Sequence, residues 1–466
     1  MSSAIVDFVS NAQTQTLLRS AAMPDGSRVR EILAKAGELR GLELEEVVFL
    51  LRVEDMALLH ELHVAARRVK DEIYGSRLVL FAPLYISNAC LNECAYCGFR
   101  RENLALRRRT LTQAEIAEEV KALVSQGHKR LLLVAGEEFG AGKNIHYVLE
   151  SIRTIYATKV GNGEIRRVNV NIAPLSVDQF RQLKAENIGT YQLFQETYHE
   201  ETYRQHHLAG PKRDYHWRLE AMDRAMEAGI GDVGIGALFG LYDWRFELLS
   251  LLQHARHLED VFGVGPHTIS VPRMELAAGS NVASRPPFAV SDQDFLKLVA
   301  ILRIAVPYTG IIMSTRESSE LRNQTLQLGV SQISAGSRTD PGGYTSHQSG
   351  QDTSQFQLGD HRPLDEVVLD AVRMGFIPSF CTGCYRMGRT GRDFMDLAKP
   401  GEIKKHCEPN GLSTFQEYLC DYATPQTRAE GEKRIQAMME TMSPVPRQKC
   451  EKMVSRVKSG HRDVFV

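Results

Sequence analysis

The chain has 466 residues, 43% of them hydrophobic and 24% charged, with a formal net charge of −1. That apolar share supplies a sizeable core and argues against disorder, while the balanced charge offers no basic stripe for a nucleic acid. No apolar run is long enough to span a bilayer and the N-terminus lacks a secretory pattern. Most of the cysteines fall in two groups, which suits a reducing cytosol; a cytoplasmic protein with no membrane partner is expected.

Residues 26–75 read as helical. Leu58, Leu59, Leu62, Val69 and Ile73 recur at helical spacing between Glu54 and Tyr74, and Gly75 closes the run. Beyond it, short β-rich runs alternate with helical ones. Strands are predicted near 77–87, 129–136, 165–173, 190–196, 232–239, 267–273, 310–316 and 330–336. Helices fall between them, at Thr112–Gln126, Ser176–Glu186, Asp214–Ala228 and Asp292–Ile304, with Gly127, Gly189 and Gly229 where C-caps belong. This alternation predicts an α/β fold with a complete parallel (βα)8 TIM barrel over 76–375, against the alternative of an open doubly wound sheet. An N-terminal helical extension (1–75) precedes it and a mostly helical C-terminal domain (376–466) follows. The Gly-, Ser-, Gln- and Asp-rich stretch 338–362 reads as a long loop leaving the barrel. Residues 425–466 read as two helices separated by Pro444 and Pro446, with Ile435, Met438, Met439 and Met442 as a packing stripe.

The loop after the first strand is N-A-C-L-N-E-C-A-Y-C-G-F-R, which spaces Cys90, Cys94 and Cys97 as C-x3-C-x2-C. Four thiolates saturate a 4Fe–4S cluster; three leave one iron open for chemistry. Half of a zinc site, a disulfide loop and chance are the alternatives. Zinc sites usually pair C-x2-C units, and nothing else in the chain looks secreted. Tyr96 sets an aromatic beside the open iron, and Gly98 lets the backbone pass close. This spacing, with an aromatic before the last cysteine, resembles the radical S-adenosylmethionine (SAM) enzymes.

Reactive groups of such a barrel gather at the C-terminal strand ends. Strand two ends in A-G-E, and Gly136 and Glu137 look like the motif by which that family meets the SAM amino group. Strand three, V-N-V-N-I-A-P, puts Asn169 and Asn171 on one face, as SAM contacts or loop caps. Strand four delivers Glu196, for ribose hydroxyls or a ligand ammonium, or else for a rim salt bridge. Strands seven and eight end S-T-R-E-S and A-G-S-R-T, so Arg316, Ser337 and Arg338 are candidates for a substrate carboxylate, with rim structure as the alternative.

The C-terminal region holds a second set, Cys381, Cys384 and Cys407, spaced C-x2-C-x22-C. Zinc with His406 as a fourth ligand is one reading, and a second incomplete iron–sulfur cluster is the other. The barrel motifs A-P-L-Y-I-S-N-A-C-L-N-E-C-A-Y-C-G-F-R-R, G-P-H-T-I-S-V-P-R and A-V-P-Y-T-G-I-I-M-S-T-R-E, together with C-T-G-C-Y-R-x-G-R-T-G, run from about residue 75 to about 422. They resemble the radical SAM tyrosine lyases, specifically the HydG family of iron–iron hydrogenase maturases. The barrel motifs are shared with the thiamine-synthesis lyase ThiH, and the second cysteine triad is what distinguishes HydG. Met274–Val290 matches no recognised pattern.

The resemblance implies two 4Fe–4S clusters, SAM, an extra iron on the second cluster and a free cysteine on that iron. It implies that L-tyrosine is cleaved to p-cresol and dehydroglycine, and that the latter becomes carbon monoxide and cyanide for the hydrogenase cofactor. A reduced electron donor and hydrogenase maturation proteins would be partners. It further implies that His267, at the start of strand six and so at the opposite mouth, binds the extra iron. A ThiH-like lyase with zinc on the second triad, and a non-catalytic iron–sulfur scaffold or electron carrier, are the competing readings. Cys420 and Cys450 carry no assigned role and read as buried packing.

Overall fold

The computed structural model describes residues 8–20, 23–138, 145–346 and 353–466. Eight parallel strands form the barrel: β1 (Arg77–Ser87), β2 (Arg130–Ala135), β3 (Arg167–Asn171), β4 (Tyr191–Gln192), β5 (Val233–Gly236), β6 (Thr268–Ser270), β7 (Gly310–Met313) and β8 (Gln332–Ser334). Each pairs with the next, and β8 returns to β1 with Val79 opposite Gln332 and Phe81 opposite Ser334, which closes the ring. All eight predicted strands are present. The fourth is the shortest, because the chain leaves ladder geometry before Glu196.

A ninth strand, β9 (Ile377–Ser379), lies parallel to the first residues of β1, with Arg77 opposite Ile377. The C-terminal region therefore begins as part of the barrel wall. Five helices follow, of which Lys404–Asp421 and Pro425–Glu440 are the longest. Helices Gly26–Ala36, Leu44–Leu51 and Met56–Tyr74 realise the N-terminal extension, with Asp55 capping the last through the Leu58 amide.

Alternation along the strands separates core from interior. Leu78, Leu80, Ala82 and Leu84 of β1 join the large apolar core beneath the helices, as do Leu131 and Leu133 of β2 and Val168 and Val170 of β3. Val79, Phe81, Pro83 and Tyr85 face inward. The other inward side chains include Asn171, Gln192, Ser270, Gln332 and Ser334. Barrel interiors are ordinarily filled with branched apolar residues; this one mixes apolar side chains with polar ones.

Thr112 with Glu115 and Ser176 with Gln179 form reciprocal caps at the starts of Gln113–Ser125 and Val177–Ala185. Gly127 and Gly229 take the expected left-handed conformation, at φ 102° and 86°. Gly189 does not: Asn187 turns the chain there at φ 56°, and Gly189 is small because a Cβ would lie 2.2 Å from Asn169 Oδ1. The helix expected over Asp214–Ala228 breaks into Tyr215–Leu219 and Ala221–Glu227. Pro444 opens helix Pro444–Lys458 from its first turn, where its missing N–H costs nothing. Of the stretch 338–362 expected to leave the barrel, residues 347–352 lie outside the described residues, and its described parts return to the mouth, where Thr339, Gln355 and Phe356 line the interior.

Charged side chains tie the C-terminal helices to the barrel base. Glu417 accepts hydrogen bonds from Arg166 at 2.6 and 3.1 Å and pairs with Lys129 at 2.7 Å, all three buried. Among the described residues no helix is long and apolar enough to cross a membrane.

Candidate functional site: two cavities at opposite ends of the barrel

The C-terminal ends of the strands enclose a cavity of about 1130 Å³, open mouth included. The cysteine loop reaches it through Tyr96 and Cys97. It is held by a short antiparallel pairing of Glu93 and Cys94 with Ala209 and His207, and by Tyr96 Oη against His207 Nε2 at 2.9 Å. Asn103 donates to the carbonyls of Gly98 and Ala278, and Ser280 Oγ to that of Ala95. Met274–Val290, unreadable in sequence, is thus a clamp on the cysteine loop, and its Met274 and Glu275 also line the cavity. Gln355 reaches across from the folded-back segment, accepting from Tyr85 Oη at 2.8 Å and approaching Cys97 Sγ at 3.8 Å.

The donor set fits an anionic cluster. Burial raises the pKa of the Cys90, Cys94 and Cys97 thiols, but amide N–H groups of Asn92 and Glu137 point at Cys90 and the Lys212 ammonium acts on all three, both favouring thiolate. Two glycines are sterically required here. A Cβ on Gly136 would meet the Ala89 carbonyl at 2.3 Å, and one on Gly98 the Gln355 carbonyl at 2.7 Å. Gly136 and Glu137 lie against the loop, with Asn92 Nδ2 donating to Glu137 Oε2 at 2.7 Å and the Leu91 amide to the Glu137 carbonyl.

Asn171, Glu196, Arg316 and Tyr96 all line this cavity. Glu196 holds φ at 73°, a rare conformation for a residue with a Cβ, and one that persists where surrounding structure enforces it. Its carboxylate meets Lys212 at 2.6 Å and Arg218 at 3.6 Å. Burial alone would raise its pKa; the two cations hold it below the usual carboxylate range. Arg316 lies over the Phe356 ring at 3.3 Å, and no ion pair is recorded for it among the described residues. Ser337 and Arg338 are not brought to the cavity. Ser337 is buried with its Oγ unpartnered, and Arg338 is exposed and donates to the Ser337 carbonyl. The chain turns at Gly336, φ 59°, just before them.

The opposite ends of the strands, with the C-terminal region, enclose a second cavity of about 540 Å³. Cys381, Cys384, Cys407 and His267 all line it; His406 is not among its lining residues. Among the described residues no three His, Cys, Asp or Glu side chains are placed to hold a single metal ion. His267 is 12% exposed, with its Nδ1 enclosed 3.6 Å from Asp232 Oδ1 and without a hydrogen bond there. Burial lowers its pKa, which leaves the neutral imidazole that ligates metals. Arg77 is half-buried beside the three thiols, its Nε enclosed, and their negative charges would raise its pKa against the penalty of desolvation. A guanidinium there without a carboxylate fits an anionic thiolate cluster.

Sequence reasoning did not single out Lys212, Arg218, Gln355, Arg77 or Arg130. The first three sit in loops and a short helix remote in sequence, and no local spacing marks them. The arginines opening β1, β2 and β3 (Arg77, Arg130 and Arg167) were visible as charges at strand starts, a signal that also fits solvated barrel bases.

Residues 84–251 match the Radical SAM superfamily, and residues 270–377 the Biotin and Thiamin Synthesis associated domain. The chain is 31% identical to 2-iminoacetate synthase of Escherichia coli over 72% of this chain and 86% of that one. It is similar to a crystal structure of HydG, a maturase of the [FeFe]-hydrogenase, at 48% identity and a TM-score of 0.95, covering 99% of this chain and all of that one. HydG from Carboxydothermus hydrogenoformans aligns at 42% identity with a TM-score of 0.85, covering 97% of this chain and 100% of that one.

Proposed function

The chain belongs to the radical SAM family that contains 2-iminoacetate synthase and HydG, and from that premise we propose that it is a tyrosine lyase with two reaction stations. It cleaves L-tyrosine to p-cresol and dehydroglycine, and converts dehydroglycine to carbon monoxide and cyanide for maturation of an iron–iron hydrogenase. The observation that carries this reading is that Cys97 of the first triad and all three cysteines of the second line two cavities at opposite ends of one barrel.

A 4Fe–4S cluster on Cys90, Cys94 and Cys97 supplies, when bound, the electron that splits SAM and so the radical that opens tyrosine. The residues of the first cavity bind and orient. Gly136 and Glu137 present the rim to the SAM amino group. Asn171 and Glu196 meet its polar parts, with Lys212 and Arg218 keeping Glu196 ionised. Arg316, without a carboxylate partner among the described residues, takes that of tyrosine, and Phe81, Phe194, Leu238 and Phe356 wall the cavity against water.

Cys381, Cys384 and Cys407 would hold a second 4Fe–4S cluster and His267 an extra iron with a free cysteine, which when bound would supply the chemistry that forms carbon monoxide and cyanide. The chain's part is to bring dehydroglycine there. Val79 and Gln332 line the second cavity, while Phe81 and Ser334, the next inward residues on the same strands, line the first. The two cavities are therefore lined by adjacent layers of inward side chains, among which Gln332 and Ser334 offer polar groups to a passing imino acid. A reduced electron donor and the hydrogenase maturation machinery complete the reaction, in the cytoplasm.

Metal and product analysis of anaerobically purified protein tests the reading. About eight or nine irons per chain are expected, whereas about four irons and one zinc defeat it. Cys381→Ala with Cys384→Ala loses the iron–carbonyl product but still forms p-cresol; Cys90→Ala forms neither. A Cys90→Ala protein that still yields p-cresol refutes the radical route. His267→Ala with an unchanged second-cluster spin signature and full cyanide yield refutes the assignment of that ligand.

A further inference from the structure

Four buried polar atoms without hydrogen-bond partners border the second cavity: Nε of Arg77, Arg130 and Arg389, and Nδ1 of His267. Unpaired buried donors cost stability unless a ligand uses them. Asp232 is the one carboxylate among the lining residues, and its Oδ1 already accepts the Gly391 amide at 2.9 Å. Three guanidinium groups thus face a cavity with one carboxylate and three thiols.

The three arginines are differently engaged. Arg77 lies within the field of all three thiols, Cys407 foremost, and serves their charge. Arg389 donates through Nη2 to the Val466 carbonyl at 2.7 Å. Arg130 is the first inward residue of β2, where the barrel interior meets the second cavity. Its Nη1 is anchored on the Cys381 carbonyl at 2.9 Å, its carbon centre lies 5.9 Å from the Tyr385 ring, and no ion pair is recorded for it among the described residues. It stands, like Arg77, in the field of the Cys381 thiol, but with Nη1 anchored and Nε unpartnered it keeps the Nε edge of its planar fork for a carboxylate.

We propose that Arg130 is a carboxylate seat in the second cavity, receiving the small two-carbon imino acid as it leaves the barrel interior and holding it beside the cysteine triad and His267. This rests on the two-station reading above. A positive charge needed only to balance a cluster would be served equally by lysine. A seat built on a fork would not.

The test titrates glyoxylate, the stable hydrolysis product of dehydroglycine, into anaerobically prepared Cys90→Ala protein while following the spin signal of the second cluster. Arg130→Gln and Arg130→Lys are each added to that background, with iron content measured in parallel. Loss of a charged hydrogen-bonded pair predicts glyoxylate binding weakened about ten- to a hundredfold in both variants. In otherwise wild-type protein the same substitutions lower the ratio of cyanide to p-cresol. Wild-type affinity in Arg130→Lys overturns the proposal in favour of simple charge balance, and wild-type affinity in Arg130→Gln overturns it outright. No spectral change at millimolar glyoxylate in the parent does the same. Should Arg130→Gln lose second-cluster iron, Arg130→Lys decides alone; if that variant loses it too, Arg130 is structural and the seat is rejected. Wild-type protein that makes p-cresol without cyanide defeats the two-station reading instead, and the titration still judges the seat.

Discussion

Replacing Glu417 by Gln tests what fastens the second triad to the barrel. Glu417 lies in helix Lys404–Asp421, which also carries Cys407, and is 1% exposed. It accepts from Arg166 and from the Asp463 amide, and pairs with Lys129 at the foot of β2. Burial alone would raise its pKa, but the Arg166 hydrogen bonds and the Lys129 charge bring it down from 4.5 to about 2. At 1.36 kcal/mol per pH unit, that difference corresponds to about 3 kcal/mol of stability. Removing one partner of a buried ion pair ordinarily costs about 3–5 kcal/mol, so two independent arguments agree. The carboxyl is depressed in the folded state, so its contribution is fully present above pH 4.5 and is lost as the pH falls toward 2. Denaturant unfolding of anaerobic protein at neutral pH, followed by both far-UV circular dichroism and iron–sulfur absorbance, reads the effect. Glu417→Gln is expected to lose about 3 kcal/mol, with second-cluster absorbance bleaching first. A change below about 0.5 kcal/mol, the range of ordinary surface substitutions, refutes the reasoning.

Two further substitutions probe the first cavity. Gly136→Ala forces a methyl into the Ala89 carbonyl, so the cysteine loop must shift; the strain of about 1–3 kcal/mol predicts SAM binding weakened about ten- to a hundredfold, and equilibrium binding at the parental value defeats the argument. Glu196→Gln leaves Lys212 and Arg218 facing each other without a carboxylate; 5′-deoxyadenosine formation should fall at least about tenfold while iron content holds, and a parental rate sinks the assigned role.

The resemblance expected from the motifs holds at the level of family. The barrel was legible because each strand–helix unit carries its own signals: a β-rich run, a capping residue such as Thr112 or Ser176, a glycine such as Gly127. The misreadings have local causes. Asn187 took the left-handed turn assigned to Gly189, since asparagine tolerates that conformation and the glycine was needed for clearance of Asn169. Ser337 and Arg338 follow the eighth strand in sequence, yet the chain turns before their side chains can enter the cavity.

The cysteine spacings, the strand count and the strand-end motifs are properties of contiguous sequence, because loop length and hydrophobic period act over a few residues. Which charges meet is another matter. Glu196 finds Lys212 and Arg218 only after the chain loops out and back, and Gln355 and Met274 reach the cysteine loop from segments far along the chain. The orphaned fork of Arg130 exists only because barrel closure and the C-terminal helices together bury it beside Cys381, Cys384 and Cys407. Electrostatic partners are set by distance in space and by desolvation, and neither is defined until the whole fold is closed.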